Sequence, residues 1–330
     1  MLIGAEQVRN IMNRRDFLST GFTAALGGAV ASVGSASAKV LPWDSAEPFV
    51  FEKPHCPVID ARLRPRWGEF LKTFPAKKCG SAYGATGWTM PPSVAQESEE
   101  LMLKEMDEAG VVCGMAMKRN IPNDSLVKMQ EHFKGRVRSL CTLDASDPID
   151  KNMAAIEQYA VNGPLKGVYL EPGRAKVTTQ PNDPKLYPLY DLCSEKGLVV
   201  AIMTGGNNSP NLIRSTDHSC VADIAAAFPK VKFYMAHGGW PHVQEILGVA
   251  YWYKNVYLAG DMYMFGGAPG WREYVDAANG YLQDRFLFGS AYPLLPFKET
   301  IGRYKKFIPN KEIYEKVMYK NAAELFGIEI

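Results

Sequence analysis

Three charged residues stand at alternate positions in the run 58–64: Asp60, Arg62 and Arg64. Alternate side chains of a strand leave by the same face, so this spacing predicts one carboxylate and two guanidiniums side by side. Each guanidinium presents a planar fork of N–H donors that matches a carboxylate, so two together hold an anion. Desolvated without a partner, a guanidinium costs several kcal/mol. The pair therefore needs either carboxylates of this chain (Asp60, Glu171 or Asp261) or a bound anion. His237, just ahead of Gly238-Gly239, is the residue suited to moving protons, because imidazole titrates near neutrality. A hydrogen-bonded core histidine is the competing reading. Asp261 is expected either to act as base or orient His237, or to cap a helix or pair with an arginine. Glu171 precedes Pro172-Gly173, so a loop role competes with one in the site. Of the neighbours Lys118 and Arg119, strand alternation sends one inward and one to solvent. His55, His132, His218 and His242 fall in loops or helical patterns and are assigned no chemistry.

These residues need a scaffold, and the hydrophobic pattern supplies one. Short apolar runs rich in branched and aromatic residues recur at 58–63, 111–117, 136–143, 167–170, 198–203, 232–236, 256–259 and 286–289. Amphipathic stretches fill the intervals: 93–109, 148–161, 185–196, 217–228, 299–306 and 311–326. Asp147-Pro148 and Asp183-Pro184 supply a cap and a first-turn proline, and Gly197 closes the helix before it. Strands alternating with helices imply parallel strands and right-handed crossovers. Eight such units predict an α/β fold, a parallel (β/α)8 TIM barrel, as one domain over 39–330. No Gly-x-Gly-x-x-Gly follows a strand, which counts against a dinucleotide-binding sheet. Such barrels work at the C-terminal strand ends. That places Arg62, Arg64, Lys118, Arg119, Asp144, Glu171, Met203, Thr204, His237, Asp261 and Ser290 to Tyr292 at the mouth. Two long connections, 65–92 and 261–271, carry Trp67, Phe70, Phe74, Tyr83, Trp88, Tyr263 and Phe265. They are expected to form lids or substrate walls, or to pack a homodimer interface.

The first 38 residues read as an address. Arg14-Arg15 leads Phe17-Leu18, then a Gly/Ala-rich, weakly apolar run and the cleavage-like Ala36-Ser37-Ala38. A twin-arginine signal peptide and a periplasmic mature chain are expected, with Met12 as a plausible start. The apolar run is short and interrupted, unlike a membrane anchor. Without Arg9, Arg14, Arg15, Glu6 and Asp16, the mature chain keeps 34 basic and 33 acidic side chains. So balanced a charge argues against nucleic acid or a membrane surface as partner. Six cysteines show no Cys-x-x-Cys spacing. Cys113 and Cys141 lie in apolar runs that suit free buried thiols.

Over residues 57–328 the chain resembles the decarboxylase-like branch of the amidohydrolase superfamily. That branch holds aminocarboxymuconate-semialdehyde decarboxylase, resorcylate decarboxylases and related lactone hydrolases. The resemblance rests on Met235-Ala236-His237-Gly238-Gly239, Asn255-Val256-Tyr257-Leu258, Arg285 to Pro293 and Lys320 to Phe326. It implies a metal held by two histidines on the first strand, one after the fifth, one after the sixth and an aspartate after the eighth. Here those positions read Arg62, Arg64, Met203, His237 and Ala291. Only one ligand remains, and two guanidiniums at the centre would repel a cation. No metal and no other cofactor is expected.

The resulting expectation is an exported, metal-independent enzyme acting on a small cyclic or aromatic carboxylate by hydrolase or lyase (decarboxylase) chemistry. His237 and Asp261 would be catalytic; Arg62, Arg64, Arg119, Glu171 and Tyr292 would bind substrate. The alternative is a non-catalytic periplasmic protein that binds or senses anions through the same arginines.

Overall fold

The computed structural model describes residues 50–205 and 217–330; the expected leader lies outside them. The strands are β1 Val58–Leu63, β2 Val111–Ala116, β3 Val137–Arg138, β4 Cys141–Leu143, β5 Gly167–Leu170, β6 Val199–Met203, β7 Phe233–Ala236 and β8 Val256–Ala259. Every pairing is parallel, from β1 to β3 and from β4 to β8.

The two sheets are arcs of one barrel. The expected third strand, 136–143, is interrupted at Ser139-Leu140, so that β3 pairs with β2 and β4 with β5. Ser139 Oγ spans the break by donating to Ala116 O at 2.6 Å. The expected eighth strand, 286–289, closes the ring. Leu287 N donates to Leu258 O on one side, and Ala61 N donates to Phe288 O on the other, both at 2.9 Å. A closed barrel leaves no sheet edge exposed.

Strand alternation sorts the core into two layers. Ile59, Met115, Tyr169, Ala201, Tyr234 and Leu287 fill the barrel. Val58, Val168, Val200, Phe233 and Leu258 pack outward against the helices. Leu325 and Phe326 of the last helix join the inner layer. They sit at the end opposite the mouth, where Lys232, at the start of a strand, pairs with Glu324.

Several helix boundaries differ from expectation for local reasons. The stretch 93–109 divides into Pro92–Ala95 and Glu99–Ala109, because Glu97 adopts a positive φ of 55° and Ser98 caps the second helix. Asp183 and Asp217 cap their helices through the N–H groups of Lys185 and Ser219. Pro148 flanks the helix Ile149–Ala155 instead of opening it, and Asp147 is taken by Lys151 and Lys176. All six cysteines are buried free thiols. Among the described residues no helix is long and apolar enough to cross a membrane.

Candidate active site

The end of β1 is re-aimed by a bulge. Asp60 pairs with Gly114 and Leu63 with Ala116, three residues on one strand against two on the other. An extra residue of this kind turns the following side chains to the other face. Ile59 and Ala61 face the barrel interior and Leu63 packs in the outer layer, whereas Arg62 and Arg64 line the cavity at the mouth. Asp60 is thereby parted from the arginines, contrary to the alternation expected for the run. Its carboxylate accepts from the N–H groups of Arg62 and Ser290, each at 2.9 Å, and from the Ser290 hydroxyl. Asp60 so ties β1 to the residue that follows 286–289. Burial pushes its pKa up to about 6, against the hydrogen bonds from Ser290 and Arg62.

The two arginines are buried without a carboxylate partner among the described residues. Arg62 Nη1 donates to Met117 O at 2.8 Å and Nη2 to the Tyr169 hydroxyl at 3.2 Å. Arg64 Nη1 donates to Ala291 O at 3.2 Å, and its guanidinium lies 4.8 Å from the Phe74 ring centroid. The Nε atoms of both are buried and unbonded. Burial and the charge of Arg62 lower the Arg64 pKa to about 10. For Arg62, Tyr169, Asp261 and Glu171 outweigh burial and hold its pKa above the ordinary value.

His237 and Asp261 follow β7 and β8, and both have positive φ, 70° and 35°. Their strands are adjacent, so the two turns bring the side chains together. His237 Nδ1 lies 2.7 Å from Asp261 Oδ1, and the His237 N–H donates to Oδ2 at 3.2 Å. With Nδ1 engaged, Nε2 is the nitrogen left to serve the cavity that His237 lines. Burial lowers the His237 pKa, outweighing the opposing pull of Asp261. The ring is thus neutral near pH 7, with Nδ1–H held by the carboxylate and Nε2 basic. Gly205 makes the geometry available: a Cβ there would stand 2.3 Å from His237 Cβ.

The remaining expected site residues divide. Glu171 lies in the cavity wall, almost fully buried. Its Oε1 accepts from the Arg119 N–H and the Tyr169 hydroxyl, both at 3.0 Å, while Oε2 has no partner. Burial acts to raise its pKa, but Lys118, the Arg119 N–H, Arg62 and Arg174 outweigh it and bring the pKa below the usual carboxyl value. Arg119, expected to bind substrate, is not in the cavity wall; its guanidinium turns to Asn120 at 2.8 Å and Asp144 at 3.6 Å. Of the neighbouring pair one side chain turns inward and one outward, as expected, and it is Arg119 that turns out. Lys118 lines the cavity in its place. Tyr292 is also absent from the cavity wall. Its ring stacks on Phe297 at 4.4 Å, and its hydroxyl bonds Ser93 Oγ at 2.9 Å in the outer layer. Arg174 enters the cavity without having been singled out, and Lys118, placed at the mouth as one of a pair of which one turns inward, had been given no role.

The cavity has a volume of about 350 Å³. The long connection 65–92 folds into helices Gly68–Thr73 and Ala76–Thr86 that wall it with Thr73, Phe74, Ala82 and Thr86. From the other side Met262 and Gly266 line it. Tyr263 stacks on Trp240 at 4.7 Å and meets the His237 ring edge-on.

The residues present do not fit the metal ion that the sequence resemblance implies. Among the described residues no group of three or more His, Cys, Asp or Glu is disposed to hold one. The first-strand positions carry guanidiniums, and a single imidazole is short of the three or more ligands a transition metal requires.

A family model described as amidohydrolase matches residues 58–328. The chain belongs to the amidohydrolase family. Among solved structures, an uncharacterized TIM-barrel protein from Bordetella bronchiseptica is 31% identical, covers 82% of this chain and 99% of its own, and superposes with a TM-score of 0.75. The 5-carboxyvanillate decarboxylase of Sphingomonas paucimobilis is 14% identical over 83% of this chain and 99% of its own, with a TM-score of 0.58. The 4-oxalomesaconate hydratase of Rhodopseudomonas palustris is 17% identical over 82% and 96%, with a TM-score of 0.57. The last two likenesses are of fold alone. Among curated proteins none matches the chain.

Proposed function

We propose that this amidohydrolase-family protein is an enzyme that works without a metal ion on a small cyclic or aromatic carboxylate, by hydrolase or lyase chemistry. One observation carries the reading. Two buried guanidiniums that make no ion pair with a carboxylate among the described residues, Arg62 and Arg64, line the same cavity as a neutral histidine backed by Asp261. A bound carboxylate offsets the desolvation of the guanidiniums, and the fork geometry orients it. His237 Nε2 then takes a proton from water or from a carbon acid, and Asp261 stabilises the imidazolium that forms. The guanidiniums stabilise negative charge that develops on the substrate. The neighbour named a 5-carboxyvanillate decarboxylase supports an aromatic carboxylate and lyase chemistry, and the one named a 4-oxalomesaconate hydratase supports a carboxylate substrate alone. The leader motif supports export by the twin-arginine route.

The test is a panel of aromatic and cyclic carboxylates and lactones, presented to protein treated with chelator. Turnover unaffected by chelation supports the reading. Turnover only after Zn, Mn or Fe is restored overturns its metal-free part. Binding without turnover of any acid points to the anion sensor.

A further inference from the structure

We propose that Lys118 is a catalytic amine, forming an iminium with the carbonyl group of a small oxo acid whose carboxylate sits on Arg62 and Arg64. This rests on the anion-site reading and gives the substrate a second functional group, a ketone or aldehyde one or two carbons from the carboxylate. Among the described residues two lysines line the cavity. Lys78 is exposed at the rim, where its Nζ donates to Thr73 O at 3.0 Å. Lys118 is half-buried, and no hydrogen bond or ion pair holds its ammonium among the described residues. Beside it, Glu171 is held by two donors on Oε1 and keeps Oε2 free. An unbound amine, a fixed carboxylate with one idle oxygen, and two anion-binding guanidiniums thus share one cavity.

The surroundings favour the free amine. Burial lowers the Lys118 pKa to about 8; Glu171 opposes this, while Arg174, Arg62 and Arg64 reinforce it. Near pH 7 on the order of a tenth of the amine is unprotonated, and a lysine beside other cations is an activated nucleophile. The Nζ lone pair attacks the carbonyl carbon, and the C–O π pair moves to oxygen, which takes a proton. The carbinolamine then expels that oxygen as water, the unpartnered Glu171 Oε2 of the same cavity serving to pass the protons, leaving a C=N iminium on Nζ. The exchange is redox-neutral: amine, carbonyl and one proton become iminium and water. A C–H beside the iminium is acidified, and the pair left when His237 Nε2 removes the proton moves onto nitrogen. Lys118 would thus supply the electron sink that lyase chemistry needs, using only this chain's residues.

The experiment is reductive trapping on the full-length protein, with pyruvate as probe and borohydride as reductant, read by intact mass and peptide mapping. The expected result is one carboxyethyl group per chain, on Lys118, its yield rising with pH through about 8. K118R and K118M should each lose at least roughly ten-fold of this labelling, and acetone, which lacks a carboxylate, should label wild type at least roughly ten-fold less. Equal labelling of K118R, or label scattered over surface lysines, overturns the proposal. Thermal shifts with pyruvate and with benzoate, on wild type and both variants, separate the two readings. Binding without a Lys118 adduct sinks the amine and leaves the anion site standing. Failure of both acids to bind sinks both.

Discussion

The protonation of His237 is set by a conflict between burial and Asp261 that burial wins. Because its folded pKa lies below the ordinary 6.5, the unfolded chain binds the proton more readily. Its share of stability is therefore complete above pH 6.5 and eroded as pH falls toward the lowered value. The acid limb of the pH–rate profile should fall below pH 6.5 for the same reason. His237→Asn keeps a hydrogen-bonding side chain of similar size. It should cut turnover by roughly 10²–10⁴-fold with ligand affinity within a few-fold, and abolish that limb. Retained turnover would move the base to Glu171. For the arginines, Arg62→Ala and Arg64→Ala should each weaken carboxylate binding by roughly 2–4 kcal/mol in calorimetric titrations. Unchanged affinity in a folded double variant would place the anion elsewhere.

At the scale of elements, β1 and the segment 286–289 are held together at the mouth by Asp60. Removing its side chain in Asp60→Ala strands three buried donors, the N–H groups of Arg62 and Ser290 and the Ser290 hydroxyl. Urea denaturation should show a loss of roughly 3–5 kcal/mol; a loss below about 1 kcal/mol would mean that the clamp is not structural. Its pH dependence runs opposite to that of His237. With its pKa raised to about 6, Asp60 contributes most below the ordinary 3.8, and that contribution is lost as pH rises through about 6. The turn after β6 acts on His237 through space. In Gly205→Ala the new Cβ would meet His237 Cβ at 2.3 Å, so the imidazole must shift. Turnover should fall at least as far as in His237→Asn, although residue 205 has no side chain to do chemistry. Wild-type turnover in a folded Gly205→Ala protein would show that His237 tolerates displacement.

For the whole molecule, barrel closure gathers strand ends that lie far apart in the chain around one cavity, and residues 65–92 wall it. The cavity carries an excess of cations, since Arg62, Arg64, Lys78, Lys118 and Arg174 line it with Glu171. Elemental analysis of protein purified without a metal column should find well under one equivalent of Zn, Mn or Fe. A stoichiometric ion removable only by chelator would contradict the reading. A bound aromatic carboxylate should raise the melting temperature by mass action, with the rise diminished in the arginine variants.

Short apolar runs alternating eight times with amphipathic stretches made the barrel legible in the sequence, because hydrophobic pattern acts between near neighbours. The type and place of Arg62, Arg64, His237 and Asp261 were legible too, since residues at the C-terminal strand ends of such a barrel gather at its mouth. Which side chains meet was decided by tertiary structure. The extra residue in β1 parts Asp60 from the arginines, and it exists only in the register against β2. Which of Lys118 and Arg119 turns inward is settled only in the fold, and Tyr292 is drawn away by stacking on Phe297 and by the bond of its hydroxyl to Ser93. Each is set by contacts between segments far apart in the chain, where local pattern carries no information.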